Sequence, residues 1–183
     1  IGIFGFNGAS LAVVTIQSLL LYFTGFIVRK FSAIFFNKES FLLHALIIFN
    51  PNSFITAHLA QSETLFTLIL TLCVYFLFKL IQQNNVKHAF FLGILLGLLA
   101  LTRPAGLYFI YFLPFVFLIS TLVRDRAIKW MNIKKNLYKV FVIFLLSAIV
   151  ISPWYARNYS LFGEGFLSSN AGAYLKDKYT QLL

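Results

Sequence analysis

The sequence predicts an all-α integral membrane protein of about six transmembrane helices, a fragment of a larger bundle. Three observations carry that expectation. Only 11% of the residues are charged while 60% are hydrophobic, and a soluble domain with about 25% charged residues has more than twice that polar cover. Several apolar runs approach the roughly 20 residues that a membrane helix needs. The basic residues stand in short clusters between those runs, as membrane topology requires.

Taken in order, the first span is expected over 8–28, where Arg29-Lys30 stops the run. The second covers 41–57 and carries Asn50-Pro51-Asn52 inside it, a kink or break because proline removes a backbone donor. The third covers 64–81, the short fourth 89–101, the fifth 105–123 and the sixth 140–154. Residues 1–156 thus form a transmembrane helical domain, and 157–183 read as the start of an external loop or domain. The chain opens on Ile1 with no cleavable signal pattern, which reads as a piece of a longer protein.

Orientation follows from the cations. One set of loops holds Arg29, Lys30, Lys38, Lys79, Lys87, Arg124, Arg126, Lys129, Lys134, Lys135 and Lys139. The opposite set holds only Arg103, Arg157, Lys176 and Lys178. Because Lys/Arg-rich loops stay cytoplasmic, the segments around 58–63, around Arg103 and from Arg157 onward share the outer side. Trp154, Tyr155 and Tyr159 suit the outer interface, and the basic stretch 124–139, with Trp130, suits anionic headgroups. The net charge of +10 is accounted for by this clustering, with no nucleic-acid-binding face implied.

Chemistry, if present, belongs to the outer side. Gln61-Ser62-Glu63, Thr102-Arg103-Pro104 and Trp154-Tyr155-Ala156-Arg157-Asn158 each lie where an apolar run meets that surface. Ionisable groups at membrane depth face a cavity or one another. Arg103 and Arg157 are fixed, permanently charged forks suited to a phosphate, and Glu63 is a proton acceptor or an orienting carboxylate. Capping and anchoring would explain each residue singly: Ser62 before a helix near Thr64, Glu63 in its first turn, Thr102 before a helix begun by Pro104. The gathering of all three segments on one side favours a site, with Asn158, Ser62 and His58 as further substrate-binding candidates.

The other candidates carry less. His44 and His88 have no partner at metal-ligand spacing, so no metal is assigned and no cofactor is named. His58 near Glu63 is a weaker acid/base or metal candidate. The lone Cys73 sits in an apolar run, a small packing residue. Gly2, Gly5 and Gly8 lack the preceding strand of a dinucleotide fingerprint. Gly93 and Gly97 form a small-xxx-small pair suited to close helix contact. Asn158-Tyr159-Ser160 matches a glycosylation acceptor by coincidence, since it hugs the membrane.

Several of these segments resemble a known family. Asn50-Pro51, Ser62-Glu63-Thr64-Leu65-Phe66 and the run from Leu92-Gly93 through Gly97 to Leu101-Thr102-Arg103-Pro104, then Pro153-Trp154-Tyr155-Ala156-Arg157-Asn158-Tyr159 with Phe162-Gly163, resemble the membrane glycosyltransferases of the GT-C fold. The likeness is to bacterial relatives of the protein O-mannosyltransferases and lipid A aminoarabinose transferases, and its Ser-Glu and Thr-Arg-Pro segments are also similar to glycosylphosphatidylinositol mannosyltransferases. It implies transfer of a sugar from a polyprenyl-phosphate carrier to a protein, lipid or glycan acceptor, at the periplasmic side of a bacterial inner membrane. By similarity Arg103 and Arg157 stand on the phosphate side and Glu63 lines the cavity. The family draws its catalytic carboxylate from a first external loop that this chain does not contain, so the main base is expected upstream. A transporter or flippase of lipid-linked anions would use the same arginines, with charged or repeatedly broken helices, and a non-catalytic scaffold would leave them pointing apart.

Overall fold

The structure is a computed structural model, describing residues 8–58, 62–124 and 130–162. Across them run seven helices and no strand: α1 (Gly8–Phe36), α2 (Phe41–Ile48), α3 (Pro51–His58), α4 (Glu63–Gln83), α5 (Val86–Thr102), α6 (Gly106–Arg124) and α7 (Trp130–Phe162). Four stretches are long and apolar enough to cross a membrane, Leu11–Ile34, Glu63–Gln83, Gly106–Arg124 and Lys134–Leu161, while Val86–Thr102 is apolar but shorter. The protein is therefore an all-α membrane protein, and the expected six spans are corrected to four among the described residues.

The corrections have local causes. The second expected span is two helices of eight residues each, α2 and α3. Asn50 Oδ1 accepts from the backbone N–H groups of Asn52 (3.0 Å) and Ser53 (3.2 Å), so it caps a new helix whose first residue is Pro51. Proline is well placed there, since its missing N–H is one the helix start leaves unpaired. The first helix does not stop at Arg29-Lys30 but runs on to Phe36, and Glu39 pairs with both cations and offsets one of the two charges. The last begins at Trp130 and extends through Arg157 to Phe162; residues 163–183 lie outside the described ones.

The chain divides into two compact units, Ile1–Tyr75 and Phe76–Leu183. In unit 1, α1 packs on α2 and α3. Gly25 makes the contact close: a Cβ there would lie 2.6 Å from His44 Cδ2. The turn out of α1 passes through Asn37 in the left-handed region (φ 53°), where asparagine is tolerated. Ser32 Oγ accepts the Ser40 N–H at 2.8 Å and donates to Arg29 O at 2.7 Å. Glu39 pairs with Arg29 at 2.9 Å and with Lys30.

Unit 2 is built on α5. Gly93 and Gly97 let α7 approach the α5 backbone: a Cβ on Gly93 would lie 2.9 Å from Ile143 O, and one on Gly97 2.6 Å from Val150 Cβ. Ser147 Oγ, buried in the seam, lies 2.9 Å from both Gly93 O and Ile143 O, and its single proton is shared between them. The small-xxx-small pair is thus a helix contact, as its spacing predicts. α6 packs against both α5 and α7, with Pro114 buried within an unbroken helix.

The outward faces are apolar. Tyr108 is 77% and Phe115 60% exposed, a pattern that a water-facing monomer avoids in extended patches. Hydroxyls within the spans turn back onto their own helix: Thr15 donates to Leu11 O, Thr24 to Leu20 O and Thr71 to Thr67 O, each at 2.8 Å. In lipid, where water cannot serve as a partner, such internal satisfaction is required.

Candidate functional site

The arginine end of unit 2 is set by the α5–α7 register. Gly93 meets Leu146 and Gly97 meets Val150, so four residues forward in α5 correspond to four forward in α7. The two helices run parallel. Continuing that register levels Thr102 with Tyr155 and Arg103 with Ala156, which brings the Thr-Arg-Pro turn and the Trp154–Asn158 turn to one end of the unit. At the other end the start of α7 meets the turn ahead of α5, where Lys139 Nζ donates to Asn84 Oδ1.

Arg103 is held by its backbone. It is the C-cap of α5, extended at φ −151° and ψ 145°, with its N–H donated to Leu99 O at 3.3 Å and its carbonyl accepting the Gly106 N–H at 2.9 Å. Gly106 lies directly against the Leu99 carbonyl, and any Cβ there would fall well inside contact distance. Thr102 does not cap α6 as expected; its hydroxyl donates to Leu99 O at 2.7 Å, the carbonyl that also accepts the Arg103 N–H, back-bonding as Thr does within a helix. The side chain of Arg103, half-buried, leaves a turn with little freedom.

Arg157 lies on the last turns of α7, exposed. Its guanidinium carbon stands 5.2 Å from the centre of the Trp154 ring, and Nη1 donates to Asn158 Oδ1 at 3.3 Å. A ring three residues earlier on a helix lies under the following side chain, and an aromatic face attracts a cation without neutralising it. Asn158 is 3% exposed. Burial within a helix also disposes of the glycosylation pattern at Asn158-Tyr159-Ser160. Trp154 as the support of Arg157 is the part that sequence reading missed; the Trp-x-x-Arg spacing was its signal.

Ser62, Glu63 and His58 belong to unit 1. Ser62 is exposed in the turn before α4, and its carbonyl accepts the Phe66 N–H at 2.9 Å. Glu63 is half-buried and opens α4, the position the helix dipole favours for an acid. His58 ends α3. Arg103, Arg157 and Asn158 thus lie at one end of unit 2, whereas Ser62, Glu63 and His58 belong to unit 1.

His44 is buried between Tyr22, at a ring-centre distance of 5.0 Å, and Phe41 at 5.8 Å, and neither ring nitrogen has a hydrogen-bond partner among the described residues. Among the described residues no three His, Cys, Asp or Glu side chains gather as a metal site would require. Cys73 is fully buried, a packing residue. The chain matches no family model, no curated protein and no solved structure.

Proposed function

We propose that this chain is part of a membrane glycosyltransferase that moves a sugar from a polyprenyl-phosphate carrier to a protein, lipid or glycan acceptor on the outer face of a bacterial inner membrane. The observation that carries the reading is the parallel α5–α7 register, which levels Arg103 with the Arg157–Asn158 turn. The sequence resemblance assigns those same segments to the phosphate side of a donor site.

The chemistry follows from the charges. The acceptor's nucleophile attacks the anomeric carbon and gives its proton to a carboxylate base, while the bond from that carbon to the phosphate oxygen breaks. The electron pair leaves on the phosphate. Charge then builds on a monoester that two guanidinium forks are suited to receive, Arg103 from a rigid turn and Arg157 from above an indole. The sequence resemblance alone makes Glu63 the candidate acid, with Ser62, His58 and Asn158 as further candidates for polar contact with the sugar or acceptor. The main base is assigned to the family's first external loop.

The broken α2–α3 pair at Asn50-Pro51 favours a second reading, a flippase of lipid-linked anions, since transporters build sites on interrupted helices. One experiment separates them. The full-length protein is placed in vesicles with a labelled polyprenyl-phosphate sugar, and release of the free lipid phosphate is followed beside its movement across the bilayer. Release by the wild type that falls about a hundredfold in Arg103→Ala, the loss typical of removing one charge-stabilising donor, supports the transferase. Movement without cleavage supports the flippase.

A further inference from the structure

The end of unit 2 opposite the arginines holds a charged cleft. It has a volume of about 680 Å³ and lies between the α4–α5 turn and the start of α7, lined by Asn84, Asn85, Lys134, Lys135, Tyr138 and Lys139 among others. Lys134 and Lys135 project from α7 and are exposed, whereas Lys139, one turn on, is only 7% exposed. The Lys139 ammonium donates to Asn84 Oδ1 and, at 3.4 Å, to Asn136 Oδ1. Both acceptors are neutral amides. Among the described residues of unit 2 there is no Asp or Glu, so nothing described in the unit offsets three ammonium groups around one cleft.

A buried ammonium without a counter-charge is costly, and neutral amides orient it without cancelling it. An anion entering the cleft would cancel it. The walls say which kind. Val86 and Tyr138 line the cleft and are exposed, and Phe141, three residues beyond Tyr138 on the same helix, is 61% exposed. A charged pocket therefore opens beside an apolar outer face at the end of a membrane-crossing helix. That combination matches a molecule with an anionic phosphate head and hydrocarbon tails.

We propose that this cleft binds the phosphodiester headgroup of an anionic membrane phospholipid, with Lys134 and Lys135 gripping the phosphate from the rim and Lys139 from the floor. Basic pockets between helices at the membrane surface bind such heads. The site is independent of the glycosyltransferase reading, since it needs neither the arginine end nor any turnover.

The test uses the full-length protein in nanodiscs of phosphatidylcholine containing phosphatidylglycerol, with retained lipid read by native mass spectrometry. The wild type retains phosphatidylglycerol in preference to phosphatidylcholine. Lys134→Ala/Lys135→Ala, which removes two exposed side chains and leaves the core intact, lowers that preference about thirtyfold, as expected from roughly a fivefold contribution per lysine at the surface. Lys87→Ala, an exposed lysine outside the cleft, changes it less than about twofold. Equal retention of the two lipids by the wild type would overturn the proposal. So would equal losses in the Lys87 variant and the lysine pair, which would mean a diffuse surface field. Displacement of phosphatidylglycerol by millimolar inorganic phosphate would overturn it in favour of a soluble phosphate ligand.

Discussion

The two units treat their cations in opposite ways. In unit 1, Arg29 and Lys30 meet a carboxylate, Glu39, and each also lies near a ring: Arg29 5.4 Å from the centre of Phe41, Lys30 5.6 Å from that of Phe26. In unit 2, Arg124 donates to the Ile81 carbonyl at 2.8 Å, Lys139 to two amides, and Arg157 to an amide above an indole. Arg124 thereby closes the last turn of α4, a structural use of a cation near a helix C-terminus. The others are oriented but keep their charge. A cation paired with a carboxylate is finished within the chain; one held by neutral oxygens or a π face is left available to an anion from outside.

Substitutions can break or sharpen that contrast. The largest effect on folding is expected at Gly106. In Gly106→Ala the new methyl meets the Leu99 carbonyl, a backbone group that cannot rotate away, and the protein should lose about 3 kcal/mol together with the geometry of Arg103. Thermal unfolding in lipid, read beside turnover, checks both. Gly93→Ala should cost about 2 kcal/mol by the same mechanism against Ile143 O. If either variant unfolded like the wild type, the arginine end would not depend on its turn and seam.

Lys139→Met probes the unpaired charge itself. In a neutral lipid it should raise stability by about 1 kcal/mol, because a buried cation with no counter-ion among the described residues is replaced by a chain of similar volume. Adding phosphatidylglycerol should stabilise both, the variant less than the wild type by about the fivefold in affinity that one lysine contributes. Ser147→Ala should cost only about 0.6 kcal/mol, the usual worth of one hydrogen bond between membrane helices. That modest loss would show the seam to be held by glycine contact more than by its hydroxyl.

The smallest effect belongs to Glu39. The hydrogen bond from Lys30, then the charges of Lys30 and Arg29, hold its carboxyl below the ordinary carboxylate value, against an opposing push from burial. A carboxyl lowered in the folded state contributes at neutral pH and loses that contribution as pH falls through the lowered value. Glu39→Gln should therefore remove a shallow acid sensitivity of the α1–α2 turn, seen as amide exchange that no longer rises on acidification.

Much of the fold was legible because hydropathy, helix length and charge placement are local. The runs ending in α4 and α6 were located within a few residues, and the glycine spacing of α5 correctly marked a close contact. What sequence alone did not show depends on partners. Arg29-Lys30 reads as the end of a span, but Glu39, nine residues beyond Lys30, pairs with both and offsets one of the two charges, and the helix continues. Pro51 and Pro114 look alike in a hydropathy profile. Asn50 supplies the acceptor that starts a new helix at Pro51, whereas the residues before Pro114 are apolar and α6 passes through. Arg103 and Arg157 were singled out as phosphate groups, but the register that levels them rests on Gly93 and Gly97, and the indole under Arg157 was read only as an interfacial anchor.

The measurement that bears most directly on the contrast between the two ends of unit 2 is sugar–phosphate cleavage in matched double variants. With the full-length protein, labelled carrier and a membrane rich in phosphatidylglycerol, Arg103→Ala/Arg157→Ala should lose at least about a hundredfold in turnover. Lys134→Ala/Lys135→Ala should stay within about threefold of the wild type, because surface lysines touch lipid and not the reacting bond. Equal losses in the two pairs, or a wild type that moves the carrier without cleaving it, would contradict the assignment of the chemistry to the arginine end.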